Sequence, residues 1–131
     1  MPAVTIHGRT WKVELATTYD QRYQGLADRV TVPEGTGMLF IYPQPQVLEF
    51  CMRHCRASLD IAFLDANGKV VRTYTMPVED YDRWRATYSS VGRAQYALEV
   101  AAGELGKAGV KVGDVAQFSA VPGPAKAEGG P

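Results

Sequence analysis

The sequence predicts an α+β domain of mostly antiparallel β-strands, with one N-terminal helix and one short C-terminal helix. Three observations carry that expectation. Leu59, Ile61 and Phe63 alternate with Asp60, Ala62 and Leu64, the period of two that sends one set of side chains to each face of a strand. Asn67-Gly68 follows at once and leads into the β-branched and aromatic run Val70, Val71, Thr73, Tyr74 and Thr75, which reads as a tight hairpin with a type I′ turn. A helical period occurs behind Thr18, where Tyr19, Tyr23, Leu26 and Ala27 recur on one side, and again briefly between Gly103 and Gly109.

Taken in order, Val4 to Ile6 and Trp11 to Leu15 are short β-type runs around the turn His7-Gly8-Arg9-Thr10. Thr18 with Gln21 fits a capping box and opens a helix expected from Thr18 to Asp28. After the loop Val32 to Gly37, Met38 to Tyr42 reads as a strand that Pro43 stops, and Val47 to Met52 as another. In the 59–75 hairpin, the expected register sets Leu64 against Val71, Ala62 against Thr73 and Asp60 against Thr75. Tyr81, Trp84 and Tyr88 recur at helical spacing, as one or two turns of helix or as a lid rich in rings. Gln95 to Val100 alternates, with Tyr96, Leu98 and Val100 on one face and Ala97 and Glu99 on the other. The short helix then stops at Gly109, and Val110 to Val115 turns at Gly113-Asp114 into a last strand ending near Phe118.

A chain of 131 residues is long enough for one core without disulfides or metal. Residues 1–120 are expected to form a single globular unit and 121–131, rich in Pro, Gly and Ala, a flexible tail. The 14 basic and 14 acidic residues cancel, so no net field steers the protein to nucleic acid, which is disfavoured as a partner. No run approaches the roughly 20 apolar residues of a membrane span, and the N-terminus lacks the charged start and apolar segment of a secretory signal. A cytoplasmic chain is expected, or one from which a leader has been removed.

Three groups of residues could carry chemistry. Arg22, Gly25 and Arg29 fall along one stripe of the expected helix, where two guanidinium groups flanking a glycine could clamp an oxyanion or pair with the chain's own Asp60, Glu99 or Asp114. Asp60 with Glu99 or Asp114 could form a carboxylate pair for acid and base work, or Asp60 a structural ion pair. Cys51, His54 and Cys55 form C-x-x-H-C, a weak match to a metal or thiol site. An extended chain there would hold the two sulfurs about 13 Å apart, too far for a shared metal or a disulfide. No phosphate loop, nucleophile elbow or HExxH is present, and no cofactor is expected.

Arg22-Tyr-Gln-Gly25-Leu26 with Arg29, Gly37-Met38-Leu39-Phe40, Phe50-Cys-Met52, Leu59-Asp60-Ile61 with Phe63 and Asp65, Tyr96-Ala-Leu98-Glu99 with Gly103, and Gly113-Asp114 together resemble the domain of unknown function 192 family of prokaryotic proteins. The likeness runs from about Trp11 to Phe118 and rests on the order and spacing of these motifs. It implies a small barrel-like sheet and supplies no reaction and no catalytic residue. The chain departs from the family pattern in carrying Cys51 where a tryptophan is usual, and His54 and Cys55 where an Asn-Thr pair is usual.

The reading these residues support is a small binding or interaction module whose pocket or groove lies where Arg22 and Arg29 face Asp60, rimmed by Tyr81, Trp84 and Tyr88. Its partner would be a small molecule or a protein. An alternative is a hydrolase using Asp60 with an arginine-held anionic substrate, and another is a metal or thiol site at Cys51, His54 and Cys55. Whether there is catalysis stays open.

Overall fold

The computed structural model describes residues 1–123. Two-residue turns and short connections set the opening of the fold. His7 and Gly8 both take positive φ, so the chain reverses in two residues and pairs β1 (Ala3–Ile6) with β2 (Arg9–Ala16) antiparallel. The expected four-residue turn is therefore shorter, and β2 begins at Arg9. Thr18 caps α1 (Tyr19–Gln24), with both hydrogen bonds of the capping box formed by Thr18 and Gln21. The helix ends four residues before the expected Asp28 because Gly25 turns out at φ 50, ψ −134, a conformation a side chain would strain.

The chain returns as β3 (Thr36–Gln46), parallel to β2 and antiparallel to β8 (Ala94–Ala101). β3 runs on past Pro43, where a stop was expected, because its ladder to β8 lapses between Ile41 and Gln46. Pro43 and Pro45 fall in that gap, where no amide is needed. Gly37 is required earlier in the ladder, since a Cβ there would stand 2.3 Å from the Glu99 carbonyl oxygen.

β5 (Leu59–Leu64) lies between β6 (Val70–Met76) and β8. Its register with β6 places Asp60 opposite Thr75 and Ala62 opposite Thr73, as expected, but Leu64 meets Val70 across a bulge. The turn explains the slip. Of its two central residues only Gly68 has positive φ, so it is not type I′, and Asp65 instead accepts hydrogen bonds from the Asn67 and Lys69 amides at 2.9 Å each. The Tyr81 to Tyr88 stretch forms no helix. Residues 77–86 are a loop, and β7 (Thr87–Ser89) pairs with β4 (Glu49–Cys51) as a separate ribbon. After β8, α2 (Glu104–Ala108) leads to β9 (Gln117–Ser119), which pairs with β1.

The seven-stranded sheet runs β6-β5-β8-β3-β2-β1-β9 and curls into a half-barrel. Its two edges meet through the approach to β9, where the Val70 amide donates to the Asp114 carbonyl and the Ala116 amide to the Gly68 carbonyl, both at 2.8 Å. The inner face packs Trp11, Leu39, Leu64, Leu98 and Leu105, and the outer face packs Phe40, Met52, Leu59, Ile61 and Phe63. A strand buried on both faces reads as the near-continuous apolar run of β5. Among the described residues no helix is long and apolar enough to cross a membrane. The tail expected at 121–131 lies outside the described residues beyond Gly123.

Candidate functional site

The register of β5 against β8 decides where the acidic residues go. Asp60 opposes Val100 while Ile61 opposes Glu99, so the two carboxylates are offset by one residue and leave opposite faces of the sheet. They cannot act as a pair. Asp60 turns to the inner face, buried, where Oδ1 accepts from the Thr75 hydroxyl at 2.7 Å and Oδ2 from the amides of Gly103 and Leu105 at 2.9 and 3.1 Å. It caps α2 in place of the absent side chain of Gly103.

Neither arginine of the expected clamp reaches Asp60. Arg22 donates through one nitrogen to the Thr17 and Ile41 carbonyls at 2.8 and 3.0 Å and lies over the Tyr42 ring, 4.8 Å from its centre. Arg29 falls beyond the end of α1, so the stripe is broken at Gly25, and it makes a two-pronged pair with Glu14 of β2. That pairing lowers the Glu14 carboxyl and raises the Arg29 guanidinium. Asp114 accepts from the Lys111 amide at 2.8 Å and stands 3.6 Å from His7. The Arg22–Arg29–Asp60 site, and the hydrolase built on it, are not assembled.

The outer face does hold an opening. Between α1, the outer half of β3, β4 and the turn after it lies a cavity of about 630 Å³. Its walls include the rings of Tyr23, Phe40, Tyr42, Phe50 and Trp84, and Glu99 lines it from the sheet. Of the expected residues, Arg22, Gly25, Glu99 and Trp84 come together here, whereas Arg29 lies elsewhere and Tyr88 packs against Tyr74 at 5.3 Å. Gly25 leaves no gap for a ligand, because Phe40 lies 3.2 Å from where its Cβ would stand.

Glu99 is 4% exposed and sits between Met38 and Ile61 of the flanking strands. Burial pushes its carboxyl from 4.5 up to about 8, and among the described residues no group hydrogen-bonds to it. Burial likewise takes the Tyr42 hydroxyl up to about 12, against the opposing pull of Arg22.

The chain is not extended after β4. The Cys55 amide donates to the Met52 carbonyl at 3.1 Å, and this turn brings both cysteines, as free thiols, to the cavity wall. Burial first, and then Glu99, push the Cys55 thiol up to about 12. His54 turns away to stack on Tyr81 at 4.2 Å and to meet Asp82 at 3.1 Å. Among the described residues no three His, Cys, Asp or Glu side chains converge as metal ligands would. The 77–86 loop is pinned beside the cavity by this stack, by the Tyr81 hydroxyl on Asp28 and by Arg56 over Tyr81 at 4.7 Å.

Sequence reasoning missed Arg53, which lies over Tyr23 at 4.2 Å on the cavity wall, and the rings of Phe40, Tyr42 and Phe50. It also missed Glu104, a buried carboxylate that accepts from Trp11 Nε1 at 3.1 Å, the Gly35 amide at 3.0 Å and Arg9 at 3.2 Å. Glu104 is separated in sequence from each of these partners by about 70 residues or more, a distance that no local pattern spans.

Residues 3–118 match the family model described as Uncharacterized ACR, COG1430, the domain of unknown function 192. The chain belongs to this family. Two solved structures resemble this family member. One, from Sinorhizobium meliloti 1021 and described as a candidate transcription regulator, has a TM-score of 0.79 at 28% identity, over 90% of this chain and 94% of that one. The other, a protein of unknown function from Novosphingobium aromaticivorans DSM 12444, has a TM-score of 0.79 at 27% identity, over 88% and 83%. No curated protein matches the chain.

Proposed function

We propose that this domain is a non-enzymatic binding module whose site is the outer-face cavity, with Glu99 at the floor and Arg22 and Arg53 on the walls. One observation carries the reading: a buried carboxyl without a protein partner opens into an aromatic-walled space of ordinary ligand size. A polar group buried without compensation costs stability. A ligand that hydrogen-bonds to Glu99 would recover that cost. The transcription role named for the Sinorhizobium protein draws no support from a chain whose basic and acidic residues balance.

A thermal-shift screen of small polar fragments tests it, run on the wild type and on Cys51→Trp, which puts a large ring into the cavity wall. A fragment at 100 times its dissociation constant adds about 2.7 kcal/mol, or roughly 10 °C for a domain of this size. The expected result is a set of fragments that shift the wild type and leave a folded Cys51→Trp variant unmoved. Fragments that shift both equally, or none at millimolar concentration, would refute it.

A further inference from the structure

We infer that the cavity takes an organic cation, an ammonium or guanidinium head on an apolar stem, with Glu99 as its counter-charge and the rings of Phe40, Tyr42, Phe50 and Trp84 as its walls. This rests on the binding-module reading and names the ligand class.

The rings and the two acids of the lining, Glu49 and Glu99, point to a cation. Aromatic faces attract cations through the ring quadrupole, and a carboxylate behind them supplies the full opposite charge. Two rings of this cavity already hold cations of the chain itself, Arg22 over Tyr42 and Arg53 over Tyr23. Phe40 and Phe50 meet edge to face at 4.9 Å and hold none. Glu99 keeps its proton until about 8, so at neutral pH an arriving cation releases that proton to solvent, loses its own hydration and gains a carboxylate already fixed in place.

An anion would have to use the two arginines instead. Arg22 is committed to two carbonyl oxygens and a ring. Arg53 is committed to His54 Nδ1 at 2.9 Å, the Tyr23 carbonyl at 3.1 Å and a ring. An anion seated between them would also leave Glu99 buried and unanswered below it, while Glu49 on the same cavity wall adds a second acid.

The test compares three probes of one shape by calorimetry at neutral pH: phenethylammonium, 2-phenylethanol and 3-phenylpropanoate. The cation is expected to bind ~10-fold more tightly than the other two, a preference lost in Glu99→Gln and narrowed in Phe50→Leu, which keeps apolar bulk but removes the ring. If the alcohol or the carboxylate binds as well as the amine, the cation assignment falls and the binding site stands. The same holds if no probe binds while screened fragments still respond to Cys51→Trp. A preference that survives Glu99→Gln overturns Glu99 as the counter-charge. If neither probes nor fragments bind, both readings fall together.

Discussion

Replacing Glu99 with glutamine keeps the shape of the side chain and removes its ionisation, which makes the energetic position of this residue measurable. In the unfolded chain the carboxyl releases its proton near 4.5, whereas burial holds the proton in the folded chain until about 8. Between those values the unfolded state binds fewer protons, so the native state loses stability as pH rises. The contribution is whole below pH 4.5 and gone above about 8. At about 1.4 kcal/mol per pH unit, the interval amounts to on the order of 5 kcal/mol, of which roughly 3 kcal/mol has been lost by pH 7. Urea denaturation of both proteins, followed by the fluorescence of Trp11 and Trp84, isolates the effect from every other titrating group, because only Glu99 differs. The two should agree at the acid end and diverge steadily, with the glutamine variant the more stable at neutral pH and above. Parallel curves would refute the reasoning, since they would mean that the carboxyl ionises in the native protein with a partner or with water beside it.

Asp60→Ala should destabilise the domain by about 2–4 kcal/mol in urea denaturation, because the Thr75 hydroxyl and two amides at the start of α2 lose their acceptor. Gly37→Ala should cost at least about 2 kcal/mol by the same measurement, since its Cβ would meet backbone at 2.3 Å and Val100 at 2.9 Å. Iodoacetamide at mildly alkaline pH should alkylate the half-exposed Cys51 and spare Cys55, whose thiol is buried and pushed up to about 12; peptide mass spectrometry before and after unfolding in urea reads the difference.

What the sequence made legible follows from the range of the interactions involved. The capping box at Thr18, the pairing of Asp60 with Thr75 and the alternation that sets Glu99 apart from Leu98 and Val100 all depend on residues close in the chain or joined by one short turn. Each was readable. The arginine stripe failed because it assumed a helix running through Gly25, and a single glycine conformation sent Arg29 to Glu14 instead. Trp84 reached the cavity while Tyr88 did not, because the stretch between them leaves its loop and enters β7, so helical spacing carried no meaning there. The cavity itself is built from residues between 19 and 99, and its aromatic walls are individually indistinguishable from core residues until the fold leaves one side of them open.

The same reasoning separates the two buried acids, which look alike on paper as one carboxylate inside an apolar strand. Asp60 stands near the start of β5, next to a helix whose first amides need an acceptor, and a carboxylate there strengthens the fold. Glu99 stands in the middle of a three-strand ladder between Met38 and Ile61, where its carboxyl makes no hydrogen bond among the described residues and a charge weakens the fold. A residue kept for packing would be expected to give the first result on substitution. Opposite signs for Asp60→Ala and Glu99→Gln in one denaturation experiment, with ligand affinity lost only in the second, would place the structural acid on the inner face of the sheet and the functional one on the outer.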